Sequence, residues 1–347
     1  MDIDVLIIGA GVFGLSIARR LKQAGREVRV VDAVGVGAGA SATPLGVLAP
    51  HAPDRWNEKK QAQFEALTSL ASVADDLHEE TGIDIGYRRC GRLIPLTREH
   101  HPQMWRGRAT DAETNWKGQA EMSIVEPDAA WLSPEAAPFG AVLCGLTARI
   151  DARAYCAALA ASVGTIECGY RLERLEEGAA VFDSGERLTA RRIILTTGAD
   201  AFRFLPDARE DIPAGRGEKG QAAILRLADG VSVDDLPLIY RDRLYVVPRG
   251  EGLVSVGATS ERAYLDAETT DDQLETLIAQ ASEICPRLAR AQVVERWARL
   301  RPRAADKRLL LGPHPSFSGV TVATGGFKTG LAMAHRAAAQ VVEMLAA

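Results

Sequence analysis

Three glycines constrain the fold of this chain more than any other feature. Gly9, Gly11 and Gly14 stand in the string Gly9-Ala10-Gly11-Val12-Phe13-Gly14, directly behind the apolar run Val5-Leu6-Ile7-Ile8. Such a run predicts a buried parallel strand, and the glycines open a helix. Gly9 allows the tight turn, Gly11 lets the backbone approach a pyrophosphate, and Gly14 lets the helix sit close on the sheet. The free amides of the first helical turn then face the anion. A second strand, Glu27-Val28-Arg29-Val30-Val31, ends at Asp32, where such units place an acid to hold a ribose hydroxyl pair. The glycines could serve packing alone, but the acid at the strand end favours the nucleotide.

The 347 residues are 47% hydrophobic with a formal net charge of -5. That composition suits a globular protein of one or two domains and gives no electrostatic reason to expect a nucleic-acid partner. The local run Arg296, Arg299, Arg301 and Arg303 reads as part site, part solvated face. No apolar stretch approaches the roughly twenty residues of a membrane span, and the chain enters a strand instead of a basic leader, so a cytoplasmic location is expected. Cys90, Cys144, Cys156, Cys168 and Cys285 form no C-x-x-C pair and have no histidine at metal spacing. They are expected to be reduced and mostly buried, and no metal site is expected.

Along the chain, the first helix runs to about Lys22. The segment from Gly35 to Pro53 is rich in glycine, alanine and proline, which suits close backbone approach to something flat or charged. The pattern from Glu58 to Thr81 is helical and Gly82 ends it, while short strands are expected from Gly86 to Leu96. The polar stretch His100 to Gln119 carries Trp105 and Trp116, read as packing anchors. Asp151 caps a helix through Val163, and hairpin signals follow at Glu177-Gly178 and Ser184-Gly185. Apolar segments Ala222 to Leu227, Leu238 to Val247 and Gly252 to Gly257 form a β-rich group, with a helix from Thr270 to Ile284.

The opening pattern recurs twice. Ile193-Ile194-Leu195-Thr196-Thr197-Gly198 again brings an apolar strand to a glycine. Near the end, Val320 to Thr324 is a strand, Gly325-Gly326-Phe327-Lys328-Thr329-Gly330 a turn, and Leu331 to Leu345 a helix. Two helix N-termini from opposite ends of the chain can thus point at one cofactor. A nicotinamide dehydrogenase does not require the second terminus. An extended FAD would use it to stabilise negative charge on the reduced ring.

On these residues the chain resembles the D-amino acid oxidase (DAO) family of FAD-dependent oxidoreductases, in particular its glycine oxidase and sarcosine oxidase branches. The resemblance covers nearly the whole length. It rests on the N-terminal glycines with Asp32, the loop from Ser41 to Pro50, and Ile194 to Gly198. It rests further on Leu244-Tyr245-Val246-Val247-Pro248-Arg249, Gly257 to Glu261, Trp297-Ala298-Arg299-Leu300-Arg301-Pro302, and Gly325 to Gly330.

The resemblance implies an α/β fold with two domains: a doubly wound, Rossmann-like FAD domain and a β-sheet-rich substrate domain. The first would comprise 1–80, 140–215 and 300–347, and the second 81–139 and 216–299. The FAD residues implied are Gly9, Gly11, Val12, Phe13, Gly14, Asp32 and Ala33, with Ala40, Ser41, Thr43, Gly46, Val47 and Leu48 in the loop. Thr197, Gly198, Gly325, Gly326, Phe327, Lys328, Thr329 and Gly330 complete the set. No cysteine lies in the Arg301 to Gly312 stretch where relatives attach flavin covalently, so the FAD is expected to be non-covalent.

The reaction implied is oxidation of the C–N bond of glycine, sarcosine or a D-amino acid by hydride transfer to flavin N5, followed by imine hydrolysis, with oxygen or a quinone as electron acceptor. Such chemistry asks more for orientation than for acid–base side chains. Arg301 and Lys328 are the implied carboxylate ligands. Tyr245 would close their pocket, His51 would tune or bind the substrate, and Arg249 is read as a fold-supporting ion pair. Arg299, Ala304 and Arg149 depart from the family's pattern, and the first two leave substrate identity open. Two alternatives remain: an FAD enzyme for a 2-hydroxy acid, or a flavin-binding subunit of a larger dehydrogenase complex. Oxidation of a modified tRNA base and a plain NAD dehydrogenase are weaker readings, and an oligomer is possible.

Overall fold

A computed structural model describes residues 3–208, 213–228 and 230–346. Its centre is the predicted opening strand, Ile3–Ile8, which pairs in parallel with Val28–Asp32 on one side and Arg187–Leu195 on the other. The sheet continues in parallel to Ile166–Cys168 and Val320–Thr324, and ends at the antiparallel edge strand Leu310–Pro313. Alternation decides its two faces. Val5 and Ile7 pack with Leu15, Leu67, Leu159 and Val341 of the helical layer, whereas Leu6 and Ile8 pack with Leu172, Leu175 and Phe182. That second face is covered by an antiparallel meander of Leu172–Glu176, Ala179–Phe182 and the start of Arg187–Leu195. Its turns fall at the two expected hairpin positions, with Gly178 and Gly185 at positive φ.

The Gly82 stop and the Asp151 cap read in the sequence are present, and two further caps, Asn57 and Asp271, accompany them. The side chain of Asn57 caps Glu58–Thr81 and Gly82 ends it at φ +72°. Asp151 caps Ala152–Val163 through the amides of Arg153 and Ala154. Asp271 caps Asp272–Ile284, two residues later than expected. Val12–Gln23 and Gly330–Ala346 complete the main set.

A second sheet of eight strands runs in the order Gln292–Ala304, Gly215–Arg226, Leu253–Gly257, Leu244–Pro248, Leu238–Arg241, Arg92–Pro95, Ala141–Cys144 and Met122–Val125. All its pairs are antiparallel except Leu238–Arg241 with Arg92–Pro95. The expected boundary at residue 300 falls inside Gln292–Ala304, and Ala141–Cys144, just beyond the boundary at 140, also pairs within this sheet.

Two local features go beyond the sequence reading. Within the β-rich group, Leu238 to Val247 is a hairpin turning at Asp242 and Arg243 with φ of +49° and +78°; the pair Asp-Arg lacks the glycine that usually marks such a turn. The polar stretch after His100 contains a helix, His101–Asn115, in which Ala112 alone is buried, so no apolar periodicity signalled it. Trp116, fully buried just behind that helix, is the anchor expected; Trp105 instead faces a cavity.

Candidate active site

Between the two sheets lies a cavity of about 1090 Å³. One end is made of backbone. The amide of Ala10 donates to Asp32 Oδ2 at 2.7 Å, and Asp32 Oδ1 accepts from the amides of Val34 and Gly35 at 2.8 Å. Ser41 Oγ accepts from the Val12 amide at 3.0 Å, which ties the small-residue loop to the helix start. No acidic side chain occupies the first turn of Val12–Gln23 or of Gly330–Ala346, so both positive helix ends remain available to an anion.

The two glycine turns meet. A Cβ at Gly326 would lie 2.7 Å from the ring of Phe13 and 2.9 Å from the Gly330 Cα, and one at Gly330 would lie 3.3 Å from the same ring. Thr324 Oγ1 donates to the Gly198 carbonyl at 2.6 Å, joining the third strand end to this corner. Thr197 Oγ1 is buried there without a hydrogen-bond partner.

Of the residues expected to hold FAD, the cavity wall includes Gly9, Gly11, Val12, Phe13, Asp32, Ala33, Ala40, Ser41, Thr43, Val47, Thr197 and Gly198, with Gly326 through Gly330. Gly14, Gly46, Leu48 and Gly325 stand behind that wall. A Cβ at Gly14 would overlap the Gly9 carbonyl oxygen and lie 2.6 Å from Thr196 Oγ1; one at Gly46 would collide with the Ile150 carbonyl oxygen. Gly325 lies against Arg308 and Leu310, and Leu48 is fully buried beside Ala148. These four shape the frame by close packing.

The other end of the cavity is made of side chains from the second sheet. Along Gln292–Ala304 the cavity is lined by Trp297 and by Arg299 through Pro302, and along Leu244–Pro248 alternation turns Tyr245 there while Leu244 and Val246 enter the core. Arg301 donates to the carbonyls of Lys219, at 3.2 Å, and Thr259, while its Nε is unpartnered. Burial pushes its pKa down to about 10. The guanidinium groups of Arg301 and Arg303 and the ammonium of Lys328 lie 5.5, 4.8 and 5.4 Å from the ring centre of Phe327. Phe327 itself holds φ of +43°, and its amide donates to the Pro302 carbonyl at 3.0 Å. Desolvation, then repulsion from Arg301 and Arg243, brings the Lys328 pKa down to about 8.

His51 is at the exposed rim, its Nδ1 hydrogen-bonded to Gln63 Oε1 and its backbone amide donating to the same oxygen at 2.8 Å. Partial desolvation, with Lys59, Lys60 and Arg92 nearby, holds its pKa below 6.5 although the Gln63 bond opposes the shift. Arg249 lies off the cavity, where it pairs with Asp151 and donates to the Pro44 carbonyl, the structural role expected of it. Arg299 donates to the Ala38 carbonyl at 3.1 Å, bracing the small-residue loop.

Sequence reasoning missed Arg92, Tyr240, Arg243 and Arg108, all on the cavity wall. For Arg92 a signal existed: a period of two places it on the face of Ile94, which lines the cavity, opposite Leu93, which enters the core. Arg243 was hidden by the unrecognised turn.

The fold and cavity define a dinucleotide-dependent oxidoreductase frame. The chain belongs to the DAO family, described as FAD dependent oxidoreductase, which matches residues 4–344. It is 30% identical to the bifunctional protein ThiO/ThiG of Nostoc sp. (strain PCC 7120 / SAG 25.82 / UTEX 2576) over 99% of this chain, but spans about half, 53%, of that relative. It is 28% identical to glycine oxidase of Pseudomonas aeruginosa over 96% of this chain and 92% of the relative. The crystal structure of glycine oxidase from Geobacillus kaustophilus superposes with a TM-score of 0.85 at 22% identity, over 99% of this chain and 94% of that one. Iminodiacetate oxidase from Chelativorans sp. BNC1 gives 0.85 at 23% identity, over 99% and 95%.

The protein is therefore an FAD-dependent oxidoreductase, and its residues fit that cofactor. The paired helix termini free of acids, the unpartnered Thr197 hydroxyl and the carboxylate of Asp32 supply donors and an acceptor along one cavity. Among the described residues no helix is long and apolar enough to cross a membrane, and all five cysteines are free thiols.

Proposed function

We propose that this chain oxidises the C–N bond of a small amine bearing a carboxylate, of the glycine, sarcosine or D-amino acid class. The observation that carries this reading is Arg301: a guanidinium on the cavity wall with an unpartnered Nε and, among the described residues, no carboxylate partner. A substrate carboxylate completes that arrangement, because a planar guanidinium fork can donate to two oxygens at once. Lys328 lies beside the same aromatic ring and adds a second cation, Tyr245 bounds the pocket, and His51 offers a neutral polar group at its rim.

Bound FAD supplies the hydride acceptor. The chain's residues contribute orientation: fixing the carboxylate at Arg301 leaves the neighbouring carbon and its nitrogen one placement in the cavity. Loss of a hydride from that carbon and a proton from nitrogen leaves an imine, which water converts to a carbonyl compound and the free amine or ammonia. The FAD is held without a covalent bond in this reading. Segments 1–80, 140–215 and 300–347 carry most of its contacts, and the substrate side is shared between the remaining segments, which supply Tyr245, and the FAD segments, which supply Arg301, Lys328 and His51. The names of the glycine oxidase relatives support the amine class.

The test is an anaerobic visible spectrum of the FAD-loaded protein during addition of glycine, sarcosine, D-amino acids and 2-hydroxy acids. Bleaching by an amine is expected. Bleaching by hydroxy acids alone would overturn the amine assignment, and a spectrum unmoved by every compound would remove small carboxylates altogether.

A further inference from the structure

We propose that the substrate carries two carboxylates, one received at Arg301 and the other at Arg92. The inference rests on the amine-oxidation reading above and adds a second anionic group to it.

Among the described residues Arg92 is a buried cation with no ion-pair partner. It is 8% exposed, its side chain donates from Nη1 to the Tyr245 hydroxyl at 3.2 Å, and its Nε has no hydrogen-bond partner among those residues. Its guanidinium lies 5.2 Å from the ring centre of Tyr240. Tyr245, Cys144 and Tyr240 are the polar groups that act on it most strongly, and no Asp or Glu stands among them. A tyrosine face and hydroxyl soften the isolation of a buried charge but do not neutralise it.

Among the described residues, no acid of the cavity wall pairs with Arg92. The wall's acids are Asp32, Asp200 and Glu268. Asp32 is engaged with three backbone amides at the glycine turn, Asp200 follows the third strand end of the first sheet, and Glu268 lies 3.9 Å from Arg299. The helix termini beside the first sheet would hold the pyrophosphate of FAD, whereas Arg92, Tyr240, Tyr245 and Cys144 all stand on the second sheet.

Two cationic poles therefore exist. Arg301, on Gln292–Ala304, shares the ring of Phe327 with Arg303 and Lys328, whereas Arg92, on a strand separated from that one by four others in the same sheet, stands with Tyr240 and Tyr245. A monocarboxylate satisfies one pole and leaves the other charge uncompensated. A dicarboxylic amine satisfies both, and the arrangement discriminates against substrates lacking the second group for the reason that any buried, unpaired charge does.

The experiment uses the FAD-loaded protein and non-oxidisable probes. Dissociation constants for malonate, succinate and glutarate are compared with those for acetate and propionate, read from perturbation of the flavin absorption band. The best diacid is expected to bind at least about tenfold more tightly than either monoacid. Arg92→Met should bring that ratio close to one, while Arg92→Lys should retain part of it; retained flavin absorbance reports an intact fold, and the wild-type ratio stands without either variant. Equal affinities for mono- and diacids in the wild type overturn the proposal. Anaerobic reduction by iminodiacetate and D-aspartate is then set against glycine and sarcosine. Bleaching by glycine without any diacid preference preserves amine oxidation and overturns the second pole. A diacid preference in binding without bleaching by any amine keeps the two-anion pocket and overturns amine oxidation.

Discussion

The two ends of the cavity are built by opposite means. At the glycine turns the chain presents backbone: amides of two helices, a loop of small residues, and one carboxylate, all set by local conformation. At the second sheet it presents side chains, with Arg92, Tyr245 and Arg301 arriving from separate strands, Arg243 from a hairpin turn and Lys328 from the C-terminal turn. The first end is limited by volume at its tightest glycines, Gly9 and Gly14; the second depends on charge in a partly desolvated setting. Damage to each should therefore look different, and four experiments test that contrast.

The largest effect is expected at the backbone end. Gly14→Ala places a methyl group against the Gly9 carbonyl, which cannot swing away, whereas Gly11→Ala meets only the Ser41 hydroxyl at 3.0 Å. Gly14→Ala should purify without flavin colour. Gly11→Ala should retain FAD with affinity lowered roughly tenfold, as for about 1–2 kcal/mol of overpacking. Equal flavin retention by the two variants would break the contrast.

Next comes Arg301→Met, which removes the proposed carboxylate partner and leaves the glycine turns untouched. Loss of one partner of a buried ion pair costs about 2–5 kcal/mol, so kcat/KM for a carboxylate substrate should fall roughly thirty- to several-thousandfold. The flavin spectrum should be retained. Loss of FAD instead would show that the two ends are not separable.

A smaller effect concerns Lys328, whose pKa burial lowers to about 8. Below that pH the ammonium is charged and favours a bound carboxylate; as pH rises through about 8, the charge and its contribution are lost. Acetate affinity should be flat below the inflection and weaken by up to about tenfold per pH unit above it. Lys328→Met should bind acetate more weakly at pH 7 and show no inflection near 8. An unchanged profile in the variant would assign the titration to another group.

The smallest effect lies at the joint between the two regions. Asp151 caps Ala152–Val163 beside the first sheet and pairs with Arg249 of the second. Asp151→Ala should lower stability by about 0.5–2 kcal/mol and Tm by roughly 1–5 °C, read by thermal unfolding. A change in FAD affinity larger than tenfold would mean that this contact also sets the spacing of the cavity walls.

Legibility followed the same division. Val5–Ile8, the three glycines and Asp32 lie within one stretch of chain, so their joint requirement is written in adjacent residues. The helix caps Asn57, Asp151 and Asp271 are local too, and the corresponding helices were readable. His101–Asn115 was not, because its neighbours bury only Ala112 and leave no periodic apolar stripe. The hairpin at Asp242-Arg243 was obscured because two ordinary L-residues adopt positive φ there. Arg301 and Lys328 became candidates through family resemblance, while Arg92 attracted no attention inside a short apolar strand.

The sequence by itself determined the strand–turn–helix unit, the acid that follows it and the paired glycine turns, since each depends on which φ values and how much volume a residue allows at its own position. Tertiary structure alone decided which charges share a cavity. Arg92 and Arg301 are separated by over two hundred residues, and only the order of strands in the second sheet turns both toward the same space, with no carboxylate hydrogen-bonded to either among the described residues.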